Sequence, residues 1–268
     1  MSTTHATAWL RTYRARRRSA QDESGLRAQA RLRADESAIT GQHRRSVSLG
    51  GAWRAFCRHP SPWMLAAFLG AAFSARLIAA AFSARLAAGS WSLGDAVLPI
   101  LMIAVFPLFE WAVHVCVLHW RPRHLGRRAI DPLLARSHRA HHADPRDIPL
   151  VFIPWRALAW IIAAYIAVAL LAFPRLGLAL TFLTVLAALG LGYEWAHYLI
   201  HSDYRPRSGA YRAVWRNHRL HHYKNEHYWF TVTTAGTADR LLGTYPDPQH
   251  VATSPTVKDL HARESSHS

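Results

Sequence analysis

The sequence predicts an all-α fold: a four-helix transmembrane bundle with a helical cap on its cytosolic side. Three observations predict it. Four long apolar segments follow a basic N-terminal region. The basic residues between the segments fall almost entirely on one side of the predicted bundle. Histidines, of which the 268-residue chain has 18, recur in two similar blocks next to the second and fourth segments.

The four apolar segments cover residues 62–83, 95–118, 157–173 and 176–200. Each approaches or exceeds the roughly 20 residues that a helix needs to cross the hydrocarbon core. Buried helices of a soluble protein are the alternative, but four such segments in one small chain favour a membrane bundle. Arg76 lies inside the first segment, where we expect it either to extend to the interface or to mark a bent hairpin.

The distribution of Lys and Arg predicts the orientation. Of the 32 basic residues, 29 lie in the N-terminal region, in residues 120–156 or in residues 200–268, and the remaining three are Arg76, Arg85 and Arg175. The positive-inside rule makes the richer side cytosolic, together with both termini and the histidine blocks. Because topology and lipid phosphate explain the basic excess, we expect a membrane and no nucleic acid as the partner.

The composition divides the chain into three regions. Residues 1–58 are rich in Arg and poor in large apolar side chains, which predicts a basic, largely disordered cytosolic tail. Residues 59–248 form the integral-membrane domain, and residues 249–268 form a polar C-terminal tail. Two cysteines, Cys57 and Cys116, do not make a disulfide framework.

The two histidine blocks resemble each other. The first reads "FEWAVHVCVLH" and is followed by "HRAHH", and the second reads "YEWAHYLIH" and is followed by "HRLHH". This repetition predicts an internal two-fold plan. The blocks supply ten candidate metal ligands: His114, His119, His138, His141, His142, His197, His201, His218, His221 and His222.

Helical geometry predicts how these histidines are shared. His197 and His201 are four residues apart and face the same way on a helix. In each HxxHH box we expect the first two histidines to share a face and the third to lie about 100° away, so that one box serves two metals. His114 and His119 are five residues apart and need a π-bulge, or they serve different metals.

Ten neutral imidazoles, about five for each ion, suit a dinuclear centre of Fe, Zn or Cu. The scarcity of carboxylates excludes Mg and Ca. A structural Zn site needs only four ligands. We expect two Fe ions, because iron changes oxidation state in reactions with O2, while Zn could take its place in a structure.

Three further residues are candidates for supporting the ligands. Glu110 and Glu194 precede His114 and His197, and each carboxylate could accept the outer N–H of a ligating histidine. Pairing with a nearby arginine is the alternative. His227 follows the last box and is a candidate for the same layer. No residue beyond the metal ligands is predicted to act in catalysis.

The boxes and the residues after them resemble the membrane fatty acid hydroxylase/sterol desaturase superfamily, nearest the fatty acid 2-hydroxylase branch. The resemblance is carried by "HRAHHADPRDIPLVFIP", "HRLHHYKNEHYWFTVTT" and the later "GTY", and it covers about residues 105–246. Trp229 and Thr231 stand where that branch has the two glycines of a GFG sequence. Asp239 matches the branch's aspartate, and Ala238 replaces the tryptophan before it.

The resemblance implies a function. It implies an O2-dependent di-iron membrane hydroxylase of a lipid acyl chain, acting at C2 of a fatty acid or fatty-acyl amide. The ten histidines would be the ligands and Asp239 a supporting residue. Electrons would come from a separate donor, a ferredoxin or a cytochrome b5-like protein.

Two alternatives remain open at this stage. One is a desaturase, or a hydroxylase of a sterol, carotenoid or alkane, within the same superfamily. The other is a non-catalytic haem- or metal-binding membrane protein. The adjacent pairs His141–His142 and His221–His222 at predicted helix ends argue against haem, whose ligands would lie deep within the spans.

Overall fold

A computed structural model describes residues 47–85, 93–126 and 128–261. The regular secondary structure of this part of the chain is helical, as predicted, apart from one small hairpin. The helices are α1 (Leu49–Phe56), α2 (Pro60–Arg85), α3 (Leu93–Val113), α4 (Leu133–Ala143), α5 (Ile148–Val151), α6 (Trp155–Ala172), α7 (Leu176–His201), α8 (Gly209–Tyr223) and α9 (Thr237–Leu241). A π-helical turn, His114–Leu118, continues α3, and a 3-10 turn spans Pro248–His250.

The hairpin lies between α3 and α4. Strands β1 (Arg123–Leu125) and β2 (Arg128–Ile130) pair in antiparallel fashion, with Arg123 opposite Ile130. Gly126 at the tip has a φ of +60°, a left-handed conformation that glycine adopts without steric penalty. The turn reverses the chain soon after α3, so that α4 returns toward the end of α3.

Four helical stretches are long and apolar enough to cross a membrane, which confirms the predicted four spans. They are Pro60–Ala80, Leu93–Leu118, Ile148–Ala172 and Leu176–His201. The third begins before the predicted residue 157 because α5 precedes α6 with only a short break. The chain is therefore a multi-pass membrane protein.

The spans pack through small side chains. Helices α2 and α7 make the most extensive contact of any helix pair in the described chain. Ala72, Ala169, Ala179 and Leu183 form a buried cluster that joins α2, α6 and α7. Because lipid tails solvate leucine as well as protein does, helices in a membrane associate where small residues allow close approach.

Helix α1 lies within the region that the sequence assigns to the basic tail, and it packs on the membrane domain. Ser48 caps the helix by accepting a hydrogen bond from the amide of Gly51. Phe56 is buried against Phe152, Trp195 and Tyr198. Residues 1–46, which carry most of the predicted tail, lie outside the described residues.

The buried arginine in α2 is held by an ion pair. Arg76 Nη2 lies 3.0 Å from Asp95 Oδ1, and its Nε donates to Thr181 Oγ1 at 3.1 Å. Arg175 approaches the other carboxylate oxygen at 3.4 Å. Helix α2 runs through Arg76 without a break, so Arg76 does not mark a hairpin. The cluster ties α2, α3 and α7 together at the end of the bundle opposite the histidines.

We expect Asp95→Ala to destabilise the protein strongly, since it leaves the buried Arg76 without its carboxylate. Breaking a buried ion pair by removing one partner costs about 3–5 kcal/mol. Thermal unfolding in detergent measures the effect. The matched control is Asp131→Ala, which removes a more exposed pair with Arg139 and should cost about 1 kcal/mol or less. Equal losses in the two variants would contradict this role for Asp95.

Candidate metal centre

The ten predicted histidines converge at one end of the bundle and form two groups of five. In each group, one nitrogen from every ring lies within 4.8 Å of the corresponding nitrogens of the others. Group one consists of His114, His119, His138, His142 and His221, and group two consists of His141, His197, His201, His218 and His222. Nine of the ten side chains are buried, and His119 is partly buried.

A π-helical turn brings His114 and His119 into the same group. The turn spans His114–Leu118, and the amide of His119 donates to the carbonyl of His114 at 3.0 Å. The extra residue per turn rotates His119 back to the side of His114, which an α-helix would not do. Of the two alternatives that the five-residue spacing allows, the structure has the π-bulge.

Each HxxHH box divides its histidines between the groups, as predicted, but with a different partition. His138 and His142, the first and third of their box, belong to group one, and His141 belongs to group two. The prediction that the first and second histidines share a face is wrong. Residues four apart differ by only about 40° around a helix, whereas residues three apart differ by about 60° in the other sense, and here that difference decides the grouping.

The two groups follow the internal two-fold plan. Each takes two histidines from the end of a spanning helix, two from the box that follows that helix, and one from the other box. The groups adjoin each other: the rings of His142 and His222 have centroids 4.1 Å apart. Helices α4 and α8 therefore connect the groups.

Backbone carbonyls fix the orientation of five rings. The Nδ1 atoms of His114, His142 and His221 donate to the carbonyls of Phe230, Val257 and Tyr228 at 2.6, 3.1 and 2.8 Å. In group two, His197 and His201 donate to Val151 and Pro145 at 3.0 and 3.1 Å. Since a carbonyl only accepts hydrogen bonds, the proton of each neutral ring must reside on Nδ1. The Nε2 atom then carries a free lone pair.

One pair of rings shows what this arrangement requires. His142 Nε2 and His221 Nε2 lie 3.2 Å apart, and both rings have their proton on Nδ1. Two lone pairs that face each other in this way repel, and a cation between them removes the repulsion. Two ligands about 2.1 Å from one ion and at right angles to each other lie about 3.0 Å apart. The spacing fits a shared metal ion.

Other ring nitrogens have no hydrogen-bond partner. Among the described residues these include His119 Nε2 in group one and His197 Nε2 in group two, both buried. Buried polar atoms are almost always satisfied, so each such atom needs an explanation. Metal coordination supplies one, and the donor set of each group therefore fits a metal ion held by up to five imidazoles.

Burial keeps the rings neutral and able to bind a metal. Desolvation lowers the pKa of His142 well below its ordinary value of 6.5, and repulsion from His221 lowers it further. Desolvation acts in the same way on the pKa of His222, and repulsion from His142 lowers it further. A neutral imidazole is the form that binds a metal.

Glu110 supports the site one step further out than predicted. Its Oε1 accepts hydrogen bonds from the amides of Val232 and Thr233 at 2.5 and 3.0 Å, and Oε2 accepts one from the Thr233 hydroxyl at 2.6 Å. Within the part of the chain that the structure describes, no ligating histidine donates to Glu110 and no arginine pairs with it. Glu110 holds the loop whose Phe230 carbonyl orients His114.

Glu194 plays the same part for group two, and the prediction of a direct contact with histidine needs the same correction. Its carboxylate accepts from the amide of Ile153 at 2.9 Å and from the Ser61 hydroxyl at 2.8 Å. The carbonyl of Val151, two residues before Ile153, orients His197. In both halves a buried glutamate thus fixes a loop, and that loop presents a backbone carbonyl to a ligating histidine.

Asp239 holds the same loop as Glu110. It accepts hydrogen bonds from the amides of Phe230 and Thr231 at 2.8 and 3.0 Å, and from the Thr231 hydroxyl at 2.5 Å. Thr231 thus gains a contact that the expected glycine lacks. Trp229, at the other expected glycine, is buried with a φ of +57°, a left-handed conformation that glycine adopts most easily.

His227 lies outside both groups, and the prediction that it supports the ligands stays a prediction. Its side chain is 70% exposed, and its Nε2 lies 3.6 Å from Glu226. No sequence pattern identifies the orienting carbonyls, because every residue has a backbone carbonyl. Only the folded loops select Tyr228, Phe230 and Val257.

An apolar cavity of about 170 Å³ lies beside the histidines, within the bundle. Glu110, Val113, Leu118 and Tyr193 line it near the metal centre. The ring of Tyr193 is 5.6 Å from that of His197. The cavity continues between the spans, where its walls include Leu65, Phe68, Phe106, Leu158, Tyr165 and Ala187.

Comparisons with known proteins identify a matching family and a similar fold. The model of the fatty acid hydroxylase family matches residues 99–244, which contain all ten histidines. A solved structure of full-length Scs7p, in which only the hydroxylase domain is visible, has a similar fold with a TM-score of 0.52 and 19% sequence identity. The match covers 71% of this chain and 66%, just under two thirds, of that one. No curated protein matches the chain significantly.

The stability of the metal-free protein should fall as the pH drops below about 6.5. Burial lowers the pKa of His119, His138, His141, His142, His218, His221 and His222 well below 6.5. Below 6.5 the unfolded chain takes up protons that the folded chain does not. Each histidine then removes up to about 1.4 kcal/mol per pH unit.

Thermal unfolding of chelator-treated protein in detergent, between pH 8 and pH 5, measures this dependence. The midpoint should be flat above about pH 7 and fall steadily below pH 6.5. A midpoint that stays constant or rises on acidification would mean that the rings are not buried in the neutral form.

Proposed function

The chain belongs to the fatty acid hydroxylase family, and we propose that it is an O2-dependent membrane hydroxylase with two Fe ions. The substrate would be a lipid acyl chain, hydroxylated at C2 of a fatty acid or fatty-acyl amide. The observation that carries the proposal is the pair of adjoining five-histidine groups at the inner end of an apolar cavity. The ten histidines of groups one and two would hold the ions.

The bound ions would supply the redox chemistry, in which O2, two electrons and two protons convert a C–H bond to C–OH and release water. The chain's own residues would hold the ions and orient the ligating rings. The carbonyls of Tyr228, Phe230 and Val257 keep Nδ1 protonated and leave Nε2 free. Glu110 and Glu194 fix the loops that carry two of the orienting carbonyls. Burial of the histidines excludes water from the reacting carbon.

The cavity favours an acyl chain and explains why a carbon near its polar end would react. Its walls are almost wholly apolar, and they run from Val113 and Leu118, next to His114 and His119 in the chain, into the bundle. An acyl tail that fills it would leave the carboxyl or amide end beside the metal centre. C2 is then the first carbon available for oxidation. The resemblance of "HHYKN" and the following residues to the 2-hydroxylase branch points to the same carbon.

The excess of basic residues supports a cytosolic position for the metal centre and both termini. The electron donor would then be a separate cytosolic or membrane-surface protein, either a ferredoxin or a cytochrome b5-like protein. A donor on this side approaches the histidines without crossing the bilayer.

The site geometry favours two bare metal ions over haem. A haem iron takes one or two axial ligands and keeps the other positions for the macrocycle. Five nitrogens within 4.8 Å of one another leave no space for a macrocycle within either group.

Lipid mass spectrometry of cells that express the chain tests the proposal. The intact protein should yield acyl chains that carry one extra oxygen at C2, and His221→Ala should abolish them. Loss of a residue that merely supports a ligand reduces metal affinity or activity about 10- to 100-fold, so loss of a ligand should reduce product at least as much.

The matched control is His227→Ala, which removes an exposed histidine from outside both groups and should leave the product unchanged. An additional double bond in place of the oxygen would identify a desaturase. If the intact chain and His221→Ala gave the same lipid profile, the proposed activity would be wrong.

A second experiment tests the cavity. Ala187 is buried in its wall, whereas Ala188, the next residue of α7, is exposed on the bundle surface. Ala187→Phe should fill the cavity and shift the hydroxylated products toward shorter acyl chains, or reduce their amount about tenfold or more. Ala188→Phe is the control and should leave the chain-length distribution as it is. A similar distribution from both variants would place the substrate elsewhere.

A further inference from the structure

Residues 251–261, here called the strap, lie beyond the segment that the family model matches and pack directly on the metal centre. That segment ends at residue 244. Ser254, Val257 and Leu260 of the strap are buried. These residues belong to the region that the sequence predicts to be a polar tail.

Two hydrogen bonds join the strap to histidines of the described chain, and both are to group one. The carbonyl of Val257 accepts the N–H of His142 Nδ1 at 3.1 Å. His261 Nε2 donates to the backbone carbonyl of His119 at 3.0 Å, at the end of the π-helical turn. His261 has a φ of +70°, an unfavourable conformation for a residue with a side chain, so the surrounding contacts must hold it in place.

A buried glutamate anchors the strap. Glu226 is 2% exposed, and its Oε1 accepts hydrogen bonds from the hydroxyls of Ser254, at 2.9 Å, and Thr256. The amide of Ser254 also donates to the carbonyl of Lys224 at 2.7 Å. Lys258 lies over the ring of Tyr223, 3.9 Å from its centroid. These contacts join the strap to the end of α8.

Group two depends on carbonyls from elsewhere. His197 and His201 donate to Val151 and Pro145, which lie between α4 and α6 and within the matched segment. The hydrogen bonds that orient these two rings thus come from outside the strap. The strap therefore supports the centre asymmetrically.

We propose that the strap is a positioning element for one metal only: it completes group one by orienting His142 and fixing His119, and group two binds its ion without it. This inference rests on the proposed two-metal function. Loss of the hydrogen bond that orients a ligating histidine reduces metal affinity about 10- to 100-fold. Detachment of the strap should weaken group one by that factor and leave group two unchanged.

The double variant Ser254→Ala/Thr256→Val tests the proposal. It removes both hydroxyls that donate to Glu226 and substitutes no histidine. Co²⁺ is titrated into full-length protein in detergent against a competing chelator, with visible absorption and metal analysis as readouts. Wild type should bind two equivalents. The double variant should bind one as tightly as wild type and the other about 10- to 100-fold more weakly.

The strap variant is then combined with two single histidine variants, which show which group holds the more weakly bound Co²⁺. In His201→Ala, where group two is disabled, the strap variant should weaken the remaining site about tenfold or more. In His114→Ala, where group one is disabled, it should change the remaining affinity less than about twofold. Equal weakening in both backgrounds, no weakening in either, or weakening of group two alone would overturn the proposal.

Two controls separate positioning from general damage. Glu226→Gln keeps an oxygen acceptor for both hydroxyls and should weaken group one less than the double variant does. Asp247→Ala removes a hydrogen bond to Gln249 in the turn before the strap and should also bind normally. Wild-type protein that binds fewer than two equivalents would overturn the proposed function itself, and that result is obtained before any variant is compared.

Discussion

The structure depends on one constraint: imidazole lone pairs that face each other in the protein interior need a cation between them. His142 and His221 are the simplest example of this constraint, since both have their proton on Nδ1 and their Nε2 atoms are 3.2 Å apart. Water is excluded, so solvent cannot separate the lone pairs. Burial also lowers the pKa of both rings, so protons cannot easily do so either. The helices and loops around the centre hold the rings in an arrangement that a metal ion stabilises.

That arrangement is built in layers. Spanning helices and boxes supply rings, backbone carbonyls orient them, and buried carboxylates fix the loops that carry the carbonyls. Glu110 and Glu194 occupy equivalent places in the two halves, each ahead of a histidine on a spanning helix and each bound to a loop amide. The strap breaks this symmetry, since its hydrogen bonds to His142 and His119 both support group one. The two halves thus share a plan but differ in how the chain completes them.

Much of this was predictable from the sequence, because periodicity and spacing carry it. Apolar length predicted the four spans, and the five-residue spacing of His114 and His119 predicted the π-bulge as one of two alternatives. The predicted partition of each box was wrong. Residues four apart and three apart on an ideal helix differ by about 40° and 60°, and these angles are too similar to predict which pair of histidines shares a group. The partners of Arg76 and Glu110 are distant in the chain, at Asp95 and Val232, and no local pattern identifies them. The strap is polar in composition, and only three buried side chains reveal its role.

X-ray absorption at the iron edge, on protein reconstituted with iron and analysed for metal content, tests the central claim most directly. The account predicts two iron ions per chain, each with a shell of imidazole nitrogens at about 2.1 Å and a second metal nearby. A single ion per chain, or a shell dominated by sulfur or carboxylate oxygen, would contradict it, since the ten rings would then not be the ligands.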